Sequence, residues 1–342
     1  MINVLIVDDS AFMRKKIKKN IEKESDMQAV AVARNGRDAL KKIKRYRPDV
    51  ITLDIEMPKL DGLETLKELM DKDKFDIPVL MVSALDQKSN VIDALDLGAF
   101  DFLPKPSNQI SMGIEEITED LIKKIRAAYE SNKSRVKTRK SKPVKSKATR
   151  KRIDKFPIVA IGSSSGGPNA LKEVLTAFPE DFPGGLIIVQ HMPAGFTKTL
   201  AERLDKLAEI KIAEAKEGDK IKRGKALIAP GNYHLKIIDG EVKLNQQDKK
   251  WGVRPCVDFM METTAQYYGA RVIGVVLTGM GHDGGIGMRA IKDQGGYCII
   301  QDKKSALVYG MPQSVIDQNA HHEITSLSEI PMKVMDIIER KF

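Results

Sequence analysis

The stretch from Ile158 to Leu171, reading IVAIGSSSGGPNAL, leaves few folds open to this chain. Ile158 to Ile161 are apolar and read as a short buried strand, whereas Gly162 to Gly167 is too small and flexible to continue it. Pro168 then stands where the first turn of a helix accepts proline, because its missing N–H would have no partner there anyway. A strand, a tight turn and a helix in such quick succession belong to the α/β class. Inside the turn, Gly162, Ser164 and Gly166 fit the G-x-S-x-G frame, in which glycines allow a sharp backbone bend and the central hydroxyl is exposed. The frame selects Ser164 over Ser163 and Ser165.

A serine hydroxyl is a poor nucleophile until a base takes its proton and donors receive the resulting oxyanion. The chain has five histidines. His191 follows the apolar run Leu186 to Val189, at the C-terminal end of an expected parallel strand, where α/β sheets place their chemistry. A third run, Val272 to Leu277, leads into TGMGHDGG and sets His282 and Asp283 on a glycine-rich loop at another strand end. Ser164, His191 and Asp283 are therefore the candidate nucleophile, base and orienting acid. Their order along the chain differs from the Ser, Asp/Glu, His order of α/β-hydrolases, which disfavours that fold while keeping the triad logic. The alternative is that GSSSGG, ahead of a helix N-terminus, cradles a phosphate. Against it, the segment fits neither G-x-G-x-x-G nor G-x-x-x-x-G-K-[ST]. His234 falls in a strand pattern and reads as structural; His321 and His322 lack partner motifs.

The first 106 residues repeat the alternation: expected strands at Asn3 to Val7, Ala29 to Ala33, Asp49 to Leu53, Pro78 to Val82 and Ala99 to Leu103, with helical spacing between them. An open parallel sheet follows, and its shared edge would gather Asp8, Asp9, Asp54, Ser83 and Lys105. Carboxylates held this close repel unless a hard cation compensates, and Mg²⁺ does so while keeping positions open for phosphate. Asp54 then reads as a phosphoryl acceptor, Lys105 as its counter-charge and Ser83 as a hydrogen-bonding partner.

Residues 131 to 155 carry a net charge of +11, so the rest of a chain whose net charge is +10 is close to neutral. The basicity is thus local, and the segment reads as a solvated linker between two domains rather than a specific nucleic-acid surface. Two cysteines, Cys256 and Cys298, are too few for a disulfide framework. The opening MINVLIVDDS lacks the pattern of a signal peptide and no apolar run approaches the ~20 residues of a membrane span, so a cytoplasmic protein, not membrane-inserted, is expected.

VDDS, LDIEMPKLDG around Asp54, Ser83-Ala84 and FDFLPKP around Lys105 resemble a response-regulator receiver domain. The resemblance implies a flavodoxin-like sheet and phosphorylation of Asp54 by a chemotaxis histidine kinase. It also implies Mg²⁺ held by Asp8, Asp9, Asp54 and the carbonyl of Glu56, and a switch pair of Ser83 and Phe102. Ile114, Ile117, Leu121, Ile122 and Ile125 continue this unit as its last helix.

In the second half, IVAIGSSSGGPNAL, VQHMP, LIAPGNYH, VRPCVDFMM, VVLTGMGHDGG and ALVYGMP together resemble the CheB protein-glutamate methylesterases of chemotaxis. That implies hydrolysis of glutamate methyl esters, and deamidation of particular glutamines, on methyl-accepting chemoreceptors. Ser164, His191 and Asp283 would form the triad, the backbone N–H of Met280 would be an oxyanion donor, and ester hydrolysis would need no cofactor. Ser163-Ser164-Ser165 stands where the family often has Ala-Ser-Thr.

The expected architecture is therefore α/β throughout: a receiver at 1–125, a basic linker at 126–154, and at 155–342 a larger, Rossmann-like doubly wound methylesterase domain with hairpins inserted between residues 208 and 250. A DNA-binding response regulator is excluded by size, since a C-terminal half of this length with strand-glycine-helix motifs is no helix-turn-helix module.

Overall fold

The computed structural model describes residues 1–71, 76–105, 114–133 and 156–342. The chain forms two compact units, Met1–Arg135 and Val136–Phe342.

The first unit alternates strands β1 (Ile2–Val7), β2 (Met27–Ala33), β3 (Val50–Asp54), β4 (Val79–Ser83) and β5 (Asp101–Pro104) with helices. These are α1 (Ala11–Ile21), α2 (Gly36–Tyr46), α3 (Gly62–Met70), α4 (Lys88–Asp96) and α5 (Ile114–Lys133). The sheet is parallel, in the order β2-β1-β3-β4-β5. Every residue of β3, β4 and β5 is buried, as expected of strands covered on both faces. Helix starts follow local chemistry: Ser10 and Asn35 cap α1 and α2, and Asp61 with Glu64 forms a reciprocal capping box on α3. Strand order turns back between β1 and β3, so their C-terminal ends open a crevice carrying Asp8, Asp9 and Asp54.

Helix α5 runs past the expected boundary at residue 125, on to Lys133. Ile117, Leu121, Ile125 and Ala128 are buried at spacings of three and four, so the apolar stripe carries past the start of the charge-rich segment. The remainder of the expected linker, like Pro106, lies outside the described residues.

The second unit contains β6 (Ile158–Ser163), β7 (Gly185–Gln190), β8 (Lys211–Glu214), β9 (Lys225–Ile228), β10 (His234–Ile238), β11 (Glu241–Asn245), β12 (Val272–Val276), β13 (Tyr297–Gln301) and β14 (Glu323–Thr325). Its helices are α6 (Gly167–Leu175), α7 (Phe196–Asp205), α8 (Val257–Tyr268), α9 (Gly285–Asp293), α10 (Gly310–Asp317) and α11 (Ile330–Lys341). Seven strands form a parallel sheet in the order β14-β13-β12-β6-β7-β9-β8. One face packs Ile158, Ala160, Ile187, Val189 and Leu227 against Val257, Met260 and Met261 of α8 and Met288 and Ile291 of α9. Burying each of the larger of these side chains stabilises the fold by about 1.5–3 kcal/mol before the entropy of ordering it.

Among the described residues, the inserted hairpin is β10 paired antiparallel with β11, as a separate two-stranded sheet. The run Lys225 to Ala229 instead enters the main sheet parallel between β7 and β8. Ala226, Leu227 and Ile228 are fully buried, and a short apolar run of this kind does not reveal its strand partner from sequence. The topology places β6 at the point where the chain turns from β7 on one side to β12 on the other. Chemistry at the ends of these three strands therefore shares one crevice.

Candidate active site and phosphoacceptor site

At the end of β6 the backbone bends sharply: Gly167 N donates to Ser164 O at 2.7 Å, and Ser164 N donates to Thr278 O at 3.1 Å. Gly166 lies at φ 76°, where a side chain would be strained, and caps α6. Gly162 is required for a different reason, because a Cβ there would sit 2.4 Å from Val257 Cγ1. The three serines differ sharply. Ser163 and Ser165 are buried, at 0% and 3% exposure, while Ser164 is partly exposed. The Ser163 hydroxyl donates to Gln190 Oε1 at 2.7 Å, which gives the departure from alanine at this position a local role.

Strands β6 and β7 are in register with Ser163 opposite Gln190, so Ser164 and His191 leave the sheet side by side. His191 N donates to Ser163 O at 3.1 Å, and Gln190 Nε2 donates to Ser164 O at 2.9 Å and to His191 O at 3.2 Å. Gln190 thus fastens the two strand ends together, a role that its position within VQHMP did not announce. The His191 ring reaches Asp283 through Nε2, 2.8 Å from Oδ2. An ionised carboxylate only accepts, so Nε2 carries the proton and Nδ1 is left as the basic nitrogen. No hydrogen bond joins Ser164 Oγ to His191 among the described residues; contacts between nucleophile and base commonly close only with substrate present.

Asp283 is 1% exposed and receives Val257 N at 2.6 Å and His191 on Oδ2, and Asp258 N at 2.9 Å and the Cys256 thiol at 3.1 Å on Oδ1. Burial alone would push its pKa up, but the His191 hydrogen bond and the backbone donors outweigh burial and hold it below the usual carboxylate range. Its loop is braced by a second buried acid. Asp258 Oδ1 accepts Gly284 N at 2.9 Å and Gly287 N at 2.8 Å, and Oδ2 accepts the Trp251 indole N–H at 2.8 Å. Nothing in the sequence assigns Asp258 a role; in the structure it lies in the first turn of α8. The backbone of Gly279 presses on Ser164, a Cβ there falling 2.9 Å from Ser164 Cβ, and is pinned by Val308 O and Met311 N, both at 2.9 Å. The next residue, Met280, has a backbone N–H with no acceptor among the described residues, as an oxyanion donor requires.

In the first unit, carboxylate oxygens of Asp8, Asp9 and Asp54 lie within 4.8 Å of one another. Lys105 Nζ is 2.7 Å from Asp54 Oδ2 and 3.2 Å from Asp8 Oδ2. Burial, with the Asp8 charge adding to it against Lys105, raises the Asp54 pKa to about 6. Asp8 Oδ2 and Asp54 Oδ2 are buried without an aligned hydrogen bond, and an all-oxygen donor set left in that state suits a hard cation such as Mg²⁺. An open pocket of about 340 Å³, lined by Asp9, Glu56, Met57, Asp61, Leu63 and Asn90, lies beside them. The Ser83 hydroxyl is turned to Gln87 Oε1 at 3.0 Å and Ala84 O at 2.9 Å, and the Phe102 ring is buried with Lys124 Nζ 5.5 Å from its centroid.

Because burial of its charge is the largest influence on Asp54, a neutral isostere should relieve strain when no cation is present. In EDTA at neutral pH, Asp54→Asn is expected to stabilise the first unit by about 1 kcal/mol, a rise of about 4 °C in its melting transition. Millimolar Mg²⁺ should raise the wild-type transition more than the variant's. A variant that melts below wild type in EDTA would contradict this electrostatic account.

With this geometry in hand, sequence and structure comparisons agree. The CheB methylesterase family model matches residues 159–334, and the response regulator receiver domain model matches residues 4–114. The chain belongs to the CheB methylesterase family.

Among its relatives, the protein-glutamate methylesterase/protein-glutamine glutaminase of Pyrococcus horikoshii is 41% identical over 347 residues, covering 99% of this chain and 94% of that protein. Its counterpart in Thermotoga maritima is 41% identical over 345 residues, covering 99% of both. The crystal structure of the Thermotoga maritima CheB methylesterase catalytic domain is 42% identical, with a TM-score of 0.52, covering 53% of this chain and 98% of that one. This CheB family member therefore joins a receiver domain to a methylesterase domain, as the two sets of motifs implied. His234 is buried, bonded through Nε2 to Asp248 O at 3.1 Å and set edge-on to Phe259, in keeping with a structural role. His322 accepts Cys298 N at 3.0 Å and stacks on Tyr297. Among the described residues no helix is long and apolar enough to cross a membrane.

Proposed function

We propose that Ser164, His191 and Asp283 hydrolyse the methyl esters of glutamate side chains, and the side-chain amides of particular glutamines, on methyl-accepting chemoreceptors. The observation that carries this reading is the pairing of His191 with the buried Asp283 at the strand end in register with the elbow of Ser164. His191 Nδ1 takes the Ser164 proton as Oγ attacks the carbonyl carbon. The oxyanion of the tetrahedral adduct meets the free Met280 N–H, and His191 returns its proton to the departing methoxide or amide nitrogen. Methanol or ammonia leaves an acyl-serine. Water, deprotonated by His191, then attacks the acyl-serine, and the proton goes back to Ser164 as the glutamate is released. Asp283 stays ionised throughout, holds the imidazole in one tautomer and stabilises its cationic form. The ester step draws on these groups alone.

The proposed division of labour sets residues 1 to 133 as the receiver and 155 to 342 as the catalytic domain. Asp54 accepts a phosphoryl group from a chemotaxis histidine kinase, and Asp8, Asp9, Asp54 and the Glu56 carbonyl would hold Mg²⁺, which neutralises charge on the incoming group. Lys105 offers its ammonium to the phosphoryl oxygens, and Ser83 leaves Gln87 to donate to them. Phosphorylation regulates the esterase in this reading, and the site of action is cytoplasmic.

The test is methanol release from a methylated chemoreceptor fragment by the full chain. Acetyl phosphate with Mg²⁺ is expected to stimulate release severalfold in wild type and not at all in Asp54→Asn. Equal stimulation of both would remove Asp54 from the regulatory role.

A further inference from the structure

The single tryptophan of the chain stands in an unusual place. Lys250 and Val253 close a tight turn, with Val253 N donating to Lys250 O at 3.1 Å and a two-residue tip of Trp251 at φ 59° and Gly252 at φ 78°. Two successive positive φ values are the pattern of a type I′ turn, whose first tip position belongs to asparagine, aspartate or glycine. A bulky side chain there is strained, and such strain persists where surrounding contacts or function maintain it. Burial does not repay it here, because Trp251 is 51% exposed.

What holds the ring is the active site. The indole N–H donates to Asp258 Oδ2 at 2.8 Å, and the N–H of that same Asp258 donates to Asp283 Oδ1 at 2.9 Å. Asp258 itself is fully buried. The ring also lies tilted against His282, the neighbour of Asp283, with centroids 6.2 Å apart. Lys250, beside it in the turn, is occupied by Asp258 and Glu262, both at 3.4 Å. An aromatic side chain clamped at its polar atom, with half its surface in solvent beside a catalytic acid, has the build of a binding wall.

We infer that Trp251 is a substrate-contacting residue of the methylesterase site, offering its exposed face to apolar side chains of the protein segment that carries the methylated glutamate. This rests on the triad reading above and deepens it, since the contact lies away from the ester and selects a protein substrate through binding. Trp251 touches no reacting atom, so its loss should appear in KM more than in kcat.

Two measurements test this with the full chain. In steady-state methanol release from a methylated chemoreceptor fragment, Trp251→Ala is expected to raise KM about tenfold with kcat within about threefold. Trp251→Phe, which keeps an aromatic face but lacks the N–H, should hold KM within about threefold of wild type. In Ser164→Ala, which binds without turnover, the emission of this lone indole should shift to the blue and saturate as the fragment is added. The inference is overturned if Trp251→Ala leaves KM within twofold. It is likewise overturned if Phe and Ala variants lower kcat alike at constant KM, which would make the indole only a strap for Asp258. Unchanged emission at saturating fragment also overturns it, and this arm does not depend on the folding of a Trp251 variant. Failure of the triad reading would show separately, as turnover by Ser164→Ala.

Discussion

Replacing Ser164 with alanine is expected to lower kcat for methanol release by about 10⁴–10⁶-fold, the range seen when the nucleophile of a serine hydrolase is removed. The size follows from the mechanism, because no other described hydroxyl stands in its place. Ser163 Oγ is buried and donates to Gln190 Oε1, and Ser165 is 3% exposed. Little else should change. Ser164 is partly exposed and its side chain makes no hydrogen bond among the described residues, so stability should move by no more than about 0.5 kcal/mol. The loss would therefore be chemical rather than structural. A fluorophosphonate probe gives an independent readout: it should modify wild type once, on the peptide containing Ser164, and leave the alanine variant unlabelled. Retention of more than about one hundredth of wild-type kcat would show that the elbow is not the nucleophile and would return GSSSGG to the phosphate-loop alternative.

The elbow was legible because its cause is local. The turn into the helix follows from the positive φ open to Gly166 and the fixed φ of Pro168, which are local, whereas the need for glycine at 162 is set by Val257. His191 and Asp283 were legible through a rule of topology, since apolar runs in an α/β chain end on one edge of the sheet. The receiver cluster was legible for the same reason. Contacts set by tertiary packing were not. Asp258 serves the loop of Asp283 through Gly284 N and Gly287 N, residues distant in sequence, and nothing around it in VRPCVDFMM marks that task. Gln190 is likewise an ordinary polar residue until register brings Ser163 opposite it. The parallel placement of β9 failed for a related reason, as its pairing with β7 depends on non-local contacts. The extension of α5 was visible in the spacing of Ile125 and Ala128, but the high charge of the following segment obscured it.

Asp283→Asn is expected to reduce kcat by about 10³–10⁴-fold, because the change reverses what the orienting group asks of the imidazole. Asp283 faces donors on every side: Val257 N and His191 Nε2 on one oxygen, Asp258 N and the Cys256 thiol on the other. An amide supplies a single acceptor oxygen. If that oxygen takes the side of the Asp258 N–H, the amide NH₂ meets His191 and the N–H of Val257, and Nε2 must then accept. The ring proton would move to Nδ1, the nitrogen required to take the Ser164 proton, so the base would be present in the wrong tautomer. If instead the oxygen stays with His191, the NH₂ is driven against the N–H of Asp258, leaving buried donors unpaired at about 1–3 kcal/mol each. Either arrangement also removes the negative charge that stabilises the imidazolium. Thermal melts of the variant separate the two costs: a modest loss of stability with a kcat loss of this size locates the effect in the chemistry. The depressed pKa adds a pH signature. A carboxylate held below its usual range stabilises the native state above the unfolded value, and that contribution disappears as pH falls through the native value. Wild type should therefore lose stability on acidification more steeply than Asp283→Asn. A variant that keeps kcat within tenfold of wild type would mean that His191 is oriented by another group, and the buried Asp283 would then be a structural acid only.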